Sequence, residues 1–446
     1  MVLEPLVLSR LIIKPCVASA CIGGITNQAR AGLSADSQRR YNSSTFVLPD
    51  RTPCASKTEN AFFCTSMDNP FPLSINQLAP GITSLLVSIL IVLTQRWHGK
   101  HTFDTIDGVQ KFHSLPTPRI GGAAIVIGLI VAWLTAQQPV AQLLLPMLIS
   151  GLLVFVVGVT EDLTKCVSVS ARLIATMISG AAVCLLTGYS LNHLDIIGVD
   201  AMLVYLPVSV VFTAFAVGGV ANSINIIDGF NGLASGVLMM CFSAFGLIAW
   251  QVGDLALVQL CILLIVVIAG FFVVNFPLGK IFLGDGGAYL LGFILAWVAV
   301  ILPMRNPIIS VWASLMVCGY PVIETCFSIW RKYHRKGHHP GMPDQVHMHM
   351  LVYSRVSRLF FSASSPALKN GLTSIFIWPF SMLCGLIGVV WYPYTVVLIL
   401  CFIVSIVLYL LIYLRLTQFV WCLKPATLKI RELASKKEEN VGISSE

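Results

Sequence analysis

Apolar stretches of about twenty residues recur along this chain from residue 77 to residue 415, broken by short polar joins. Eleven of them lie near 77–95, 119–137, 139–159, 171–189, 201–221, 232–250, 255–275, 287–304, 308–329, 371–390 and 394–415. A helix of that length spans the hydrocarbon core of a bilayer, and only helices and closed barrels satisfy their backbone groups there. The pattern predicts an all-α integral membrane protein with eleven transmembrane helices. No soluble domain interrupts them, and the longest polar join is 330–370.

The joins differ in charge. The odd-to-even connections, 96–118, 160–170, 222–231, 276–286 and 330–370, hold twelve Lys and Arg. The opposite connections hold Arg305 beside Asp195, Asp200 and Asp254. The positive-inside rule makes the first set cytoplasmic, with the N-terminus outside and the C-terminus inside. The Lys-rich tail KPATLKIRELASKKEEN agrees. Residues 1–76 are rich in Ser, Arg, Thr and Pro and hold no spanning run. They loosely mimic a signal peptide, but Glu4, Pro5, Arg10 and Lys14 break that pattern. They read as a disordered or non-native extension, with Met67 as an alternative start. Residues 77–420 then form the membrane domain and 421–446 a charged cytoplasmic tail.

Composition agrees with the pattern. Apolar residues make up 57% of the chain and charged residues 11%, with a mean hydropathy of +0.85. A soluble protein could not bury that much apolar surface. The net charge of +8 suits an anionic membrane face or an anionic substrate, and no nucleic-acid module is visible. The thirteen Cys show no C-x-x-C pair and read as small packing residues.

The unusual polar residues all fall in the predicted cytoplasmic joins. SLPTPRIGG ends in Arg119 and a Gly pair, either a snorkelling helix entry or a substrate contact. GVTEDLTK carries Glu161, Asp162 and Lys165, either an acid pair that holds a cation or moves a proton, or a capped helix end with a local ion pair. ANSINIIDGFNGLASG crowds Asn222, Asn225, Asp228 and Asn231 among glycines, more polar groups at a membrane boundary than a turn requires. NFPLGKIFLGDGGAYLLGF sets Asp285 among glycines before a span. There it either holds Mg²⁺ shared with phosphates or caps the next helix. Phe282 precedes it by three residues, to stack on a base or anchor in the interface. RKYHRKGHHPGMPDQVHMHMLVYSR holds five of the nine His with Arg335 and other cations, apt for a diphosphate. A zinc site from His338, His339, His347 and His349 fits no zinc spacing.

Together these motifs resemble the polyprenyl-phosphate N-acetylhexosamine-1-phosphate transferase family, glycosyltransferase family 4. The resemblance covers about residues 77–420 and rests on P-R-I-G-G, E-D-x-x-K, N-x-x-N-x-x-D-G-x-N-G, N-x-P-x-x-x-x-F-x-G-D and the H-x-H loop, in the family's order. It implies transfer of a sugar 1-phosphate from a UDP-sugar to undecaprenyl or another polyprenyl phosphate, with release of UMP. It also implies Mg²⁺, with Mn²⁺ as a substitute, and a cytoplasm-facing site in the inner membrane. Asp285 would ligate the metal. Asp162 would deprotonate or orient the lipid phosphate, with Glu161 and Lys165 beside it. Asn225 and Asp228 would hold the nucleotide, with Asn222 and Asn231 nearby and Phe282 near uracil. Arg119 would also contact substrate. His347, His349 and the basic loop with Arg335 would contact the diphosphate and help choose the sugar.

The chain departs from the family with Glu161-Asp162 in place of Asp-Asp, and with Asn231 where Asp is frequent. It lacks the triple-His loop of phospho-N-acetylmuramoyl-pentapeptide transferases. It therefore resembles the branch that initiates O-antigen, capsule or other surface polysaccharides. A multi-span secondary transporter for an anionic solute is the rival reading, and a homodimer is left open.

Overall fold

The structure, a computed structural model, describes residues 75–104, 116–334, 346–357, 361 and 364–418. The chain divides into two units, Met1–Pro70 and Phe71–Glu446. The first unit, the expected extension 1–76 apart from Ile75 and Asn76, and the tail 421–446 lie outside the described residues. So do Met67, Arg335, His338 and His339.

The second unit is a helical bundle. Its elements are α1 (Ile75–Leu93), α2 (Gln95–Thr102), β1 (Phe103–Asp104), β2 (Thr117–Pro118), α3 (Gly121–Thr135), α4 (Gln138–Thr164), α5 (Val169–Thr187) and α6 (Val199–Leu203). There follow α7 (Leu206–Ile227), α8 (Leu233–Gln251), α9 (Leu255–Asn275), α10 (Gly284–Arg305), α11 (Val311–Val317), α12 (Gly319–His334) and α13 (Met348–Val352). A π-helical turn (Tyr353–Ser357), α14 (Pro366–Trp391) and α15 (Thr395–Gln418) complete it. β1 and β2 form a two-residue antiparallel ladder, Phe103 facing Pro118 and Asp104 facing Thr117.

Among the described residues eight helices are long and apolar enough to cross a membrane, or ten if each of two bent pairs makes one span. Helices α1 and α2 meet at 87°, and α11 and α12 at 78°. Each of the eleven apolar runs contains a helix. The run at 119–137 gives only the fifteen residues of α3.

The helices begin and end where local chemistry dictates. Ser168 accepts from the Ala171 N–H, Asp254 from Leu257 and Ser365 from Leu368, each covering an N–H that the helix leaves open. Lys165 in the left-handed region (φ 57°) ends α4.

Helix α10 is the centre. Of its most apolar stretch 89% is buried, against 17% for α15 at the edge. Helices α3 and α4 reach its first turn through glycine. A Cβ on Gly122 would lie 2.5 Å from the Gly287 nitrogen, and one on Gly158 would lie 2.6 Å from the Gly286 Cα. Backbone meets backbone at both crossings, so the chain end of α4 is held against the start of α10. The outer surfaces of the bundle carry large exposed apolar side chains, such as Leu86, Leu152 and Val404, as lipid-facing helices do. At the far end of α10, Arg305 reaches Asp254 at 2.9 Å (Nε to Oδ2) and 3.3 Å (Nη2 to Oδ1). That ion pair is about 30 Å from the start of the helix at 1.5 Å per residue.

Gly158→Ala should lower the melting temperature in detergent, since the methyl meets backbone that cannot swing aside; overpacking of this kind costs about 1–3 kcal/mol. Gly219→Ala, where an added Cβ meets nothing within 4 Å, should be neutral or stabilising. Equal melting temperatures for the two variants would contradict the crossing described here.

Candidate active site

The site forms where α4, α7 and α9 end and α5 and α10 begin. Asp162, in the last turn of α4, is buried. Its two carboxylate oxygens accept from the N–H groups of Asp285 (2.8 Å) and Gly286 (2.9 Å), the first turn of α10. A carboxylate from one helix thus caps another. The helix dipole and the open N–H groups favour a negative charge there.

Arg119 follows the β1–β2 ladder and carries its guanidinium into the middle of the acids. Its Nε lies 3.2 Å from Asp162 and its Nη1 3.8 Å from Asp104, and Nη2 donates to Asp285. Arg172, from the first turn of α5, pairs with the other oxygen of Asp285. The Arg172 guanidinium lies 5.7 Å from the centroid of the Tyr289 ring. The Tyr289 hydroxyl donates to Asn222 at 3.0 Å, and Asn225 donates to Asp285 at 3.2 Å.

Asp228 ends α7. Desolvation by the surrounding protein raises its carboxyl to about 8, against the pull of Arg119 and with repulsion from Asp162. The loop it opens leads to His349, whose ring packs edge-on against Phe230 at 5.4 Å between centroids. His347 stacks on His349, and its Nδ1 lies 2.9 Å from Glu324. Burial pushes the His349 ring down to about 3, despite Glu324 nearby, so it is neutral at ordinary pH.

A cavity of about 690 Å³ is lined among others by Arg96, Lys100, Phe103, Asn231, Lys280 and Phe282. Phe282 is pinned at its backbone, donating to Pro118 at 2.8 Å and accepting from Gly121 at 2.9 Å.

The structure therefore brings together Arg119, Asp162, Asp285, Asn222 and Asn225, with Asp228 at the end of α7 and, against the loop that follows it, His349 of α13 and His347 just before that helix. Two residues stand apart in their bonding. Glu161 turns back to accept from the Val167 N–H at 2.7 Å. Asn231 spends its amide donors on the Pro277 (3.0 Å) and Ala367 (3.4 Å) carbonyls, and its own N–H donates to Asn370 at 2.7 Å. Lys165 is exposed at the end of α4, and Arg335 lies outside the described residues.

Sequence reasoning missed Arg172, Tyr289 and Glu324. The signal for two of them was present, since an ionisable residue inside or at the edge of an apolar run is costly and needs a partner. Arg172 opens one such run and Glu324 lies within another.

Among the described residues no group of three or more His, Cys, Asp or Glu is arranged to hold a metal ion alone. The donors present are carboxylates, the hard oxygen ligands that suit Mg²⁺. That ion commonly takes one or two carboxylates and completes its shell with water and substrate phosphates. Asp285, the acid on which two guanidiniums and an amide converge, fits such a sparse set.

Residues 144–303 match the model of glycosyl transferase family 4. The undecaprenyl-phosphate alpha-N-acetylglucosaminyl 1-phosphate transferase of Yersinia pestis is 29% identical over 252 residues, 54% of this chain and 67% of that protein. The protein of the same name from Salmonella typhi is 29% identical over 273 residues, 60% of this chain and 74% of its own length. The probable undecaprenyl-phosphate N-acetylglucosaminyl 1-phosphate transferase of Bacillus subtilis is 26% identical over 276 residues, 60% and 76% of the two chains.

Two outcomes follow. A free Asp ionises near 3.9 and the folded Asp228 near 8, so between those values the folded protein keeps a proton that the unfolded chain has lost. Stability should fall as pH rises across that window. Asp228→Asn, which has nothing to ionise, should melt progressively higher than wild type from pH 5 to pH 8 in ligand-free detergent solution; a gap that does not change with pH would contradict this. Asn231→Asp would face two carbonyls with a carboxylate and lose both donors, at a cost of about 1–3 kcal/mol. Its melting temperature should drop, whereas a melt equal to wild type would show that the two carbonyl contacts carry no weight.

Proposed function

The chain belongs to glycosyltransferase family 4, and from that premise we propose that it transfers an N-acetylhexosamine 1-phosphate from a UDP-sugar to undecaprenyl phosphate, releasing UMP. The observation that carries the reading is the junction of Asp162, Asp285, Arg119 and Arg172 at the ends of membrane helices. Phosphoryl transfer asks a protein chiefly to position oxygens and neutralise their charge. The acceptor's isoprenoid tail stays in lipid while its phosphate reaches the surface, so a site where spans end meets both needs.

Bound at Asp285, Mg²⁺ would supply charge neutralisation for the donor diphosphate. Arg119 and Arg172 hold Asp285 in place and bring positive charge toward phosphate oxygens. Asp162 has both oxygens occupied by N–H groups, which supports a role in orienting α10 and its ligands over one as a proton acceptor. Asn222 and Asn225 offer amides to the nucleotide, with Asp228 on the adjoining loop. The cavity faced by Phe282 and Lys280 has the aromatic ring and cation that a nucleoside phosphate would use. In the reaction, an oxygen of the lipid phosphate forms a bond to the phosphorus bearing the sugar, and the bond from that phosphorus to UMP breaks.

Counting each bent pair once and α3 as a short span gives eleven crossings. With the Lys and Arg bias of the joins, this supports a first span entering from outside and a site open to the cytoplasm, where UDP-sugars are. By resemblance, the donor is UDP-N-acetylglucosamine or a related amino sugar, for surface polysaccharide initiation. The transporter reading loses ground because the polar groups gather at helix ends, whereas transporters build theirs at mid-depth from broken helices.

The experiment is transfer of label from UDP-N-acetylglucosamine, and a panel of related donors, into undecaprenyl phosphate by purified protein. Wild type with Mg²⁺ should release UMP, EDTA should abolish the reaction, and Mg²⁺ or Mn²⁺ should restore it. Asp285→Asn should lower kcat by about 10²–10⁴, the range lost when a principal charge-stabilising group is removed. Full turnover in Asp285→Asn would remove the metal assignment, and no transfer from any donor would remove the reaction class.

A further inference from the structure

One buried carboxylate has no role so far. Glu324, on α12 just past the break at Cys318, is fully buried. It accepts from His347 Nδ1 at 2.9 Å and from the Tyr409 hydroxyl at 2.8 Å. The Met348 N–H lies 3.3 Å from each of its oxygens. An acid within an apolar run is expensive and survives where its partners need it. Here the partners lead in one direction. The rings of His347 and His349 are parallel within 2°, with centroids 5.3 Å apart. His349 is completely buried, and among the described residues neither of its ring nitrogens has a hydrogen-bond partner. It ends against Phe230, two residues from Asp228. A Cβ on Gly229 would come within 3.6 Å of His349 Nε2, so that nitrogen borders the loop. A buried imidazole with both nitrogens unpaired is unfavourable until another molecule supplies its hydrogen bonds.

We propose that Glu324 is a positioning residue for the sugar-phosphate half of the donor, acting through His347 and His349. The inference rests on the UDP-sugar reading above. By accepting from Nδ1, Glu324 fixes the His347 ring and leaves Nε2 as the nitrogen offered to substrate, because the bond one ring nitrogen makes sets the role of the other. Through the stack it also fixes His349, whose Nε2 borders the Gly229 loop and is the nitrogen left for the polar groups of the sugar. The nucleoside half is bound elsewhere, at the cavity beside Phe282, and does not depend on Glu324.

The test is calorimetric binding to the full chain in detergent. UMP is compared with the UDP-N-acetylamino sugar that wild type binds best. Glu324→Gln keeps the shape and removes the charge. It should weaken the UDP-sugar at least tenfold and leave UMP within twofold. His347→Ala should do the same, and the double variant should be no weaker than either single one, since both act through one contact. Tyr409→Phe, which spares the His347 contact, should bind like wild type. Glu324→Asp keeps the charge with a shorter reach and should fall between wild type and Glu324→Gln, which carries the comparison if Glu324→Gln does not fold.

Unchanged UDP-sugar affinity in Glu324→Gln would overturn the proposal. So would parallel loss of UMP in both Glu324 variants, which marks a structural role only, or additive losses in the double variant. If wild type binds neither UMP nor any UDP-sugar, the donor reading itself fails and the positioning role goes with it. Intact wild-type binding with an indifferent Glu324→Gln sinks the positioning role alone.

Discussion

The first N–H groups of α10 need acceptors, and two of them find the same carboxylate, Asp162, brought in from the end of α4. Much else in the bundle depends on this bond. Helix α10 is the most buried of the spans, so its start has no water to turn to and an unmet donor there would be costly. Asp162 can reach it only because Gly158, one turn earlier, lets α4 lie against the backbone of Gly286. The same carboxylate is buried and needs positive charge nearby, which Arg119 supplies. Arg119 in turn sits between the acids because Gly121 and Gly122 allow α3 to start hard against Phe282 and Gly287. A helix cap, two close glycine crossings and a shared guanidinium are thus one arrangement seen from different residues.

The positions of the spans were legible in the sequence because lipid permits few solutions: each apolar run contains a helix. The breaks were not legible. The run at 77–95 ends in an 87° bend, and the run at 308–329 is broken in its middle, at Cys318, by a 78° bend. The second bend is not written in hydropathy, because residues on both sides of Cys318 remain apolar; the first falls where the chain turns polar, at α2, but hydropathy carries no angle. The same logic separates the site residues. Asp162, Asp228 and Asp285 stand out as acids at the ends of apolar runs, and their convergence follows from counting spans. Arg172 and Glu324 were hidden because the eye takes a single charge inside a run as tolerance, when in lipid it is a demand for a partner.

The Asn-rich loop shows two uses of polar residues at a membrane boundary. Asn222 and Asn225 do face the acids, through Tyr289 and Asp285. Asn231 is committed to holding the loop against Pro277, Ala367 and Asn370, and Asn275 plays a similar part by accepting from Gly232 and donating to Ile281. Polar residues at a membrane boundary need a reason, but scaffolding a loop is reason enough. An amide there can donate to two carbonyls, which a carboxylate cannot. This accounts for Asn at a position where the resembling family often carries Asp.

The charges in contact at the junction bear on how the site would load. Among the described residues Asp104, Asp162 and Asp285 share Arg119 and Arg172, so in these pairs three carboxylates face two guanidiniums, and Asp228 stays largely protonated below about 8. That near balance is held in a setting where uncompensated charge is expensive. A divalent cation alone would leave the junction positive, and a diphosphate alone would leave it strongly negative. Added together their charges cancel, and the balance already built into the protein is kept. On the proposed reading, metal and donor therefore favour each other's binding through charge alone. Coupling of that kind is reciprocal, and it needs no moving part beyond the two arginines giving up some of their hold on Asp285.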